Sequence, residues 1–138
     1  MRKKKQDERF YQTFSLGDSP ALADRLLSLI LDGKKTATVS VILRWEKTPK
    51  IGNLSLVLDG KGDPACVIKT VHVEVRKFRD MTWDLVKEEG EAETFEEWQS
   101  ENRAYWTRDG KTRGYVFTDD TPIYFERFEV VEVLKRER

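Results

Sequence analysis

Residues 17–33 read GDSPALADRLLSLILDG, and this run carries stop signals at both ends. Ser19 offers a side-chain oxygen to the free N–H groups of a first helical turn, and the fixed φ of Pro20 suits the first helical position. Leu22, Leu26, Leu29 and Ile30 recur on one helical face. Gly33 suits the left-handed residue that closes a helix. The spacing therefore predicts a helix over 20–32 that cannot continue. The next residues, KKTATVSVILRW, are rich in β-branched side chains and predict a strand. A strand leaving directly from a helix stop is a rigid place from which to project polar groups, and two lysines and two threonines stand there.

The rest of the chain alternates between the two periodicities. LSLVLDG places Leu54, Leu56 and Leu58 on one side of a strand and ends in an Asp-Gly turn. DPACVIKTVHVEVRKF reads as a long strand, with Val67, Val71, Val73 and Val75 on one face and Cys66, Ile68, His72 and Glu74 on the other. TWDLVKEEG is a short helix with Gly90 as its stop. TFEEWQSENRAYWTRDG is a longer helix over 94–107, opened by a Thr94–Glu97 capping box. Phe95, Trp98, Asn102, Tyr105 and Trp106 share one face of it. Asn102 is the polar exception, and its amide must either tie down a loop or face a cleft. GYVFTDDTPIYFERFEVVEVL predicts two strands around a turn at 119–122. Strands that neighbour in sequence tend to pair antiparallel, so the order implies an α+β domain with a small curved sheet or barrel flanked by helices.

One domain is enough for 138 residues, of which 11% are aromatic. Residues 1–12 read as a basic tail or edge and 13–138 as a single domain. The 25 basic and 25 acidic side chains cancel, which argues against loose, charge-driven nucleic-acid binding and leaves room only for a local basic patch. Cys66 is the only cysteine and His72 the only histidine. An internal disulfide and a Cys/His zinc site within one chain are thereby excluded, and a reducing, cytoplasmic location is the expectation. There is no apolar run of membrane-spanning length. Nothing in the residues speaks to oligomeric state.

Three stretches, GKKTAT, EEGEAETFEEW and IYFERFEVVEV, occur in an order that resembles the ASCH domain family, whose fold is PUA-like. The resemblance covers most of the chain. It implies a PUA-like curved antiparallel sheet or barrel. Some members of the family are amidohydrolases that remove the acetyl group of N4-acetylcytidine with a lysine, a threonine three residues later and a distant glutamate. Matched to this sequence, these are Lys35, Thr38 and Glu89. The implied roles are Lys35 as base, Thr38 as nucleophile and Glu89 as an orienting or acid–base group, with no metal and no cofactor. A threonine hydroxyl needs such a base to become a nucleophile. Backbone N–H groups near Gly33 are the expected donors for the carbonyl oxygen. Lys34, Thr36, Glu91 and Asn102 are the candidate substrate-binding neighbours. Arg44 and Trp45 join them as a rim able to meet a phosphate and stack on a base. The expected partner is a small nucleoside or RNA. Other members of the family are associated with RNA, so a non-catalytic RNA- or nucleotide-binding module and a ribonuclease are the competing readings. Two departures stand out. The segment that often reads E-G-E-G-D is Glu89-Gly90-Glu91-Ala92-Glu93 here, and Asn102 occupies the position of a frequent histidine, so no proton shuttle is available there.

Overall fold

A computed structural model describes residues 9–134. Five strands form one sheet in the order β1-β3-β4-β5-β2, with β1 at Phe10–Ser15, β2 at Ala37–Val41, β3 at Leu54–Leu58, β4 at Pro64–Lys77 and β5 at Pro122–Val133. β1 runs parallel to β3, and every other pairing is antiparallel. The sheet curls into a half-barrel whose two edges are β1 and β2. Three α-helices accompany it: α1 at Pro20–Leu31, the short α2 at Trp83–Val86 and α3 at Phe95–Arg113. The predicted α+β class and curved sheet are those observed. Among the described residues no helix is long and apolar enough to cross a membrane.

The punctuation of α1 works as the sequence suggests. Ser19 accepts from the Leu22 N–H at 3.1 Å, Pro20 opens the helix, and Gly33 takes φ 78° just beyond it. Leu26, Leu27 and Ile30 pack with Val57, Cys66, Ile68 and Phe128 in one hydrophobic cluster. Each such side chain removed from water contributes about 1.5–3 kcal/mol. A second cluster joins α2 and α3 to β2 and β5 through Phe78, Val86, Trp98, Trp106, Ile123 and Phe125. Phe78 stacks on Trp98 with ring centres 5.5 Å apart and meets Trp106 edge-on.

Several boundaries differ from expectation. β1 takes in Phe10–Gln12, so the tail boundary at 12 falls inside a strand; residues 1–8 lie outside the described residues. In β3 it is Ser55 and Val57 that are fully buried, and the three leucines are half-buried. β4 is irregular in its pairing with β5 near Val67 and again between Thr70 and His72, so one alternation does not run its length. Val75 is exposed as a result of lying at its far end. The expected strand at 114–117 is absent. Instead α3 continues to Arg113 and closes at Gly114, and Phe117 packs beside Phe78 and Trp106 from an irregular segment. The capping box also has a variation: Thr94 accepts from the Glu97 N–H, while the Glu97 carboxylate reaches the N–H of Glu93.

The chain that leaves α3 folds back over Gly110, which accepts from the N–H groups of Gly114 and Tyr115. A Cβ at Gly110 would lie 2.3 Å from the Tyr115 carbonyl oxygen. Alanine in a helix interior normally stabilises by about 1 kcal/mol relative to glycine. Here the sign should reverse, because the neighbour is backbone and has to move, at a cost of about 1–3 kcal/mol. Urea denaturation of Gly110→Ala checks this; a variant more stable than the parent would show that the crossing is not tight.

Candidate functional site

The turn after α1 and the segment after α2 are locked together. The Thr36 N–H donates to the Glu88 carbonyl at 2.8 Å, and its hydroxyl reaches the same oxygen at 3.3 Å. A Cβ on Gly90 would stand 2.2 Å from the Lys34 carbonyl, and Gly90 has φ 71°, so no other side chain fits this approach. Arg127 on β5 grips the Glu88 carboxylate with two bonds of 2.6 and 2.8 Å. A planar guanidinium on a carboxylate fixes orientation as well as distance. These contacts place Glu89 next to Lys35 although 54 positions of chain, 35 to 89, separate them.

Lys35 is only 2% exposed. Its Nζ donates to the Ala37 carbonyl at 2.8 Å and to Oε2 of Glu91 at 2.6 Å, and it stands 3.7 Å from Oε2 of Glu89. Glu89 is itself buried, and Trp98 donates its indole N–H to Oε1 at 2.7 Å. Removal from water pushes the Glu89 carboxyl up to about 7, with the Glu91 charge adding to the rise; Lys35, the Trp98 N–H and a backbone bond from Val39 pull against it. One acid of ordinary type is thus held near neutrality beside a buried amine.

A cleft of about 380 Å3 opens on this cluster. Lys35, Thr38, Glu89, Glu91 and Asn102 all line it. Leu16, Leu22 and Leu26 form an apolar wall, and Tyr105, Trp106 and Arg108 complete the α3 side. Asn102 is half-buried and donates to the Trp98 carbonyl at 2.9 Å, a bond within its own helix that uses one of its two amide N–H groups. The remaining candidates are not brought to the cleft wall. Lys34 is exposed. Thr36 is spent on Glu88 and borders a separate hollow. Arg44 and Trp45 are exposed beyond the end of β2, with Trp45 57% accessible, and neither lines the cleft. The backbone donors expected near Gly33 are also used up: the Gly33 N–H goes to Ile30, and those of Lys34 and Lys35 both go to the Leu29 carbonyl. His72 sits elsewhere, paired with Glu74 on β4.

Trp98 and Arg127 are the positioning residues that the sequence did not single out. Trp98 reads as an ordinary core aromatic, because its N–H partner lies in another element. The signal for Arg127 is weaker still, since a basic residue in an alternating strand looks solvated.

A family model for the ASCH domain matches residues 12–132. The chain belongs to the ASCH domain family. The crystal structure of the ASCH domain from Lactobacillus crispatus JV V101 is similar to it, at 26% identity and a TM-score of 0.82, over 91% of this chain and 83% of that one. A protein from Enterococcus faecalis V583 is similar at 28% identity and a TM-score of 0.82, over 88% of this chain and 77% of that one. No curated protein matches. The PUA-like architecture is thus that of the ASCH domain, and Lys35 lies where its first helix hands over to the sheet.

The raised Glu89 carboxyl has a consequence for stability. Between its ordinary value of 4.5 and about 7, the folded protein holds a proton that the unfolded chain has released. The stability from this group is complete below that window and falls as pH rises through it. Glu89→Gln should flatten this part of the curve. Urea unfolding of parent and variant at pH 5 and pH 8 measures it, and equal pH slopes in the two proteins would contradict the assignment.

Proposed function

We propose that this ASCH domain is an amidohydrolase that acts without a metal on an N4-acylated pyrimidine nucleoside such as N4-acetylcytidine. The observation that carries the reading is the meeting of Lys35, Thr38 and Glu89 in one open cleft, with Lys35 and Glu89 drawn from segments far apart in the chain. Each step is assigned to the protein's own groups.

In this scheme Lys35 first passes a proton to Glu89, whose burial makes it a ready acceptor near neutral pH. The free amine then takes the proton of the Thr38 hydroxyl as its oxygen attacks the acyl carbon. The carbonyl oxygen becomes an oxyanion, and the second N–H of Asn102 supplies a donor on the cleft side. When the C–N4 bond breaks, the ammonium of Lys35 returns the proton to the leaving amine. Water then cleaves the Thr38 ester by the same groups in reverse, giving the free carboxylic acid and the nucleoside. Glu91 holds the amine in place throughout, at 2.6 Å in the resting site.

The test is hydrolysis of N4-acetylcytidine by purified protein with a chelator present. Lys35→Ala should lose about a thousandfold in kcat/KM, which is about 4 kcal/mol of transition-state stabilisation. Lys34→Ala, at an exposed position outside the cleft, should behave like the parent. Thr38→Ser should retain turnover and Thr38→Val should not. Undiminished turnover by Lys35→Ala removes the proposed base. A parent without turnover that binds RNA with a steep salt dependence would favour the binding module instead.

A further inference from the structure

A second hollow, of about 470 Å3, lies beside the sheet. It occupies the gap between the two sheet edges, with Tyr11 and Phe14 of β1 on one side and Thr38 to Val41 of β2 on the other. Thr38 and Val39 also line the Lys35 cleft, so the two hollows meet at the proposed nucleophile. Glu126 faces Thr38 across the β2–β5 pairing and lines the new groove while only 4% exposed. Thr70 donates to its Oε2 at 2.6 Å. Burial raises its carboxyl above the ordinary range, against that hydrogen bond and the charge of Lys35.

The groove's chemistry is specific. Its other charged side chains are Glu46 and Lys47, both exposed, and Glu46 is paired with Arg113 at 2.8 Å. A buried carboxyl that accepts from Thr70 is a poor neighbour for a phosphate, because it presents acceptor oxygens where a phosphate needs donors. A carboxylate is a good acceptor for hydroxyl donors, and the rings of Tyr11, Phe14 and Tyr124 offer apolar faces to a planar or puckered ring.

We propose that this groove is a subsite for the uncharged, hydroxyl-bearing part of the substrate, with Glu126 accepting from a sugar hydroxyl, and that it rejects phosphorylated ligands. The proposal rests on the amidohydrolase reading above and deepens it. The acyl amide lies on the Lys35 side of Thr38 and the sugar on the Glu126 side. Free nucleosides are therefore selected over nucleotides and RNA.

Calorimetric binding of cytidine, cytosine and cytidine 5′-monophosphate to the intact protein tests this without any scissile bond. Cytidine should bind at least about tenfold tighter than either of the others, because cytosine lacks the sugar hydroxyl and the monophosphate brings an acceptor-only group against the buried carboxyl. Glu126→Gln should bring cytidine down towards cytosine and narrow the gap to the monophosphate. Because that variant alters a buried position, Ser40→Lys on the exposed rim of the groove provides a second measure, and it should raise monophosphate affinity about tenfold relative to cytidine. Equal binding of cytidine and cytosine, monophosphate binding as tight as cytidine, or no binding of any of the three overturns the subsite. Failure of the two readings can be told apart. Selective cytidine binding by a protein that leaves N4-acetylcytidine intact sinks the hydrolase and keeps the subsite. Equal kcat/KM for N4-acetylcytosine and N4-acetylcytidine does the reverse.

Discussion

A buried amine sets the terms for the rest of this structure. Taking the Lys35 ammonium out of water costs several kcal/mol unless partners replace the solvent. Here they come from three directions: the Ala37 carbonyl within its own segment, Glu91 at 2.6 Å and Glu89 at 3.7 Å. Both carboxylates belong to a turn that has no reason of its own to lie against β2. It is brought there by a backbone bond and a hydroxyl bond from Thr36, by the Arg127–Glu88 pair and by the missing side chain at Gly90. Trp98 then carries the requirement into the core. Its indole N–H holds Glu89, and its ring is stacked between Phe78 and Phe95. The aromatic cluster under α3 thereby serves two purposes, since the same packing that attaches the helix to the sheet aims a donor at the acid.

Much of this architecture was legible wherever a local rule decided the outcome. The caps of α1 and α3 depend on Ser19 and Thr94, and the closing glycine of α1 depends on Gly33; those are contacts between near neighbours in sequence. The misread segments are those decided at long range. Phe10–Ser15 becomes a strand because β3 offers it an edge, and a basic stretch followed by Tyr and Phe gives no local sign of a parallel partner. Residues 114–117 have strand-like side chains, yet the fold-back over Gly110 and the seat for Phe117 prevent their pairing. β4 changes its alternation where its ladder to β5 slips, which no period-two reading can anticipate.

The site divides in the same way. The family resemblance named Lys35, Thr38 and Glu89, and geometry brings them to one cleft; on residue types alone, each has an ordinary structural use. Glu91 and Asn102 join them there. Arg44 and Trp45 do not, because β2 ends at Val41 and the chain turns outward before reaching them. Residues chosen for what they do to others, Trp98 and Arg127, carry no signature, since their roles exist only once distant segments meet. Glu126 was equally hidden. It sits among Phe125, Arg127 and Phe128 in a strand that reads as sheet, and only the gap between β1 and β2 turns it into the wall of a groove.

The ionic cluster also makes a physical argument for activity at this place. A buried ion pair is seldom the cheapest way to fill space, because an apolar side chain of similar length avoids the desolvation penalty altogether. The fold has apolar material at hand, with Leu16, Leu22 and Leu26 along one wall of the cleft. Yet Lys35 and Glu89 are kept charged-capable and enclosed, and Glu89 is supplied with a dedicated donor from the core. Stability alone would favour a leucine or methionine where the lysine stands. What the polar arrangement provides, and an apolar one does not, is a buried carboxyl raised to about 7 beside an amine, in a cleft that a threonine also lines. That pairing of cost and geometry is why the proposed chemistry is assigned to the junction of the first helix and the sheet.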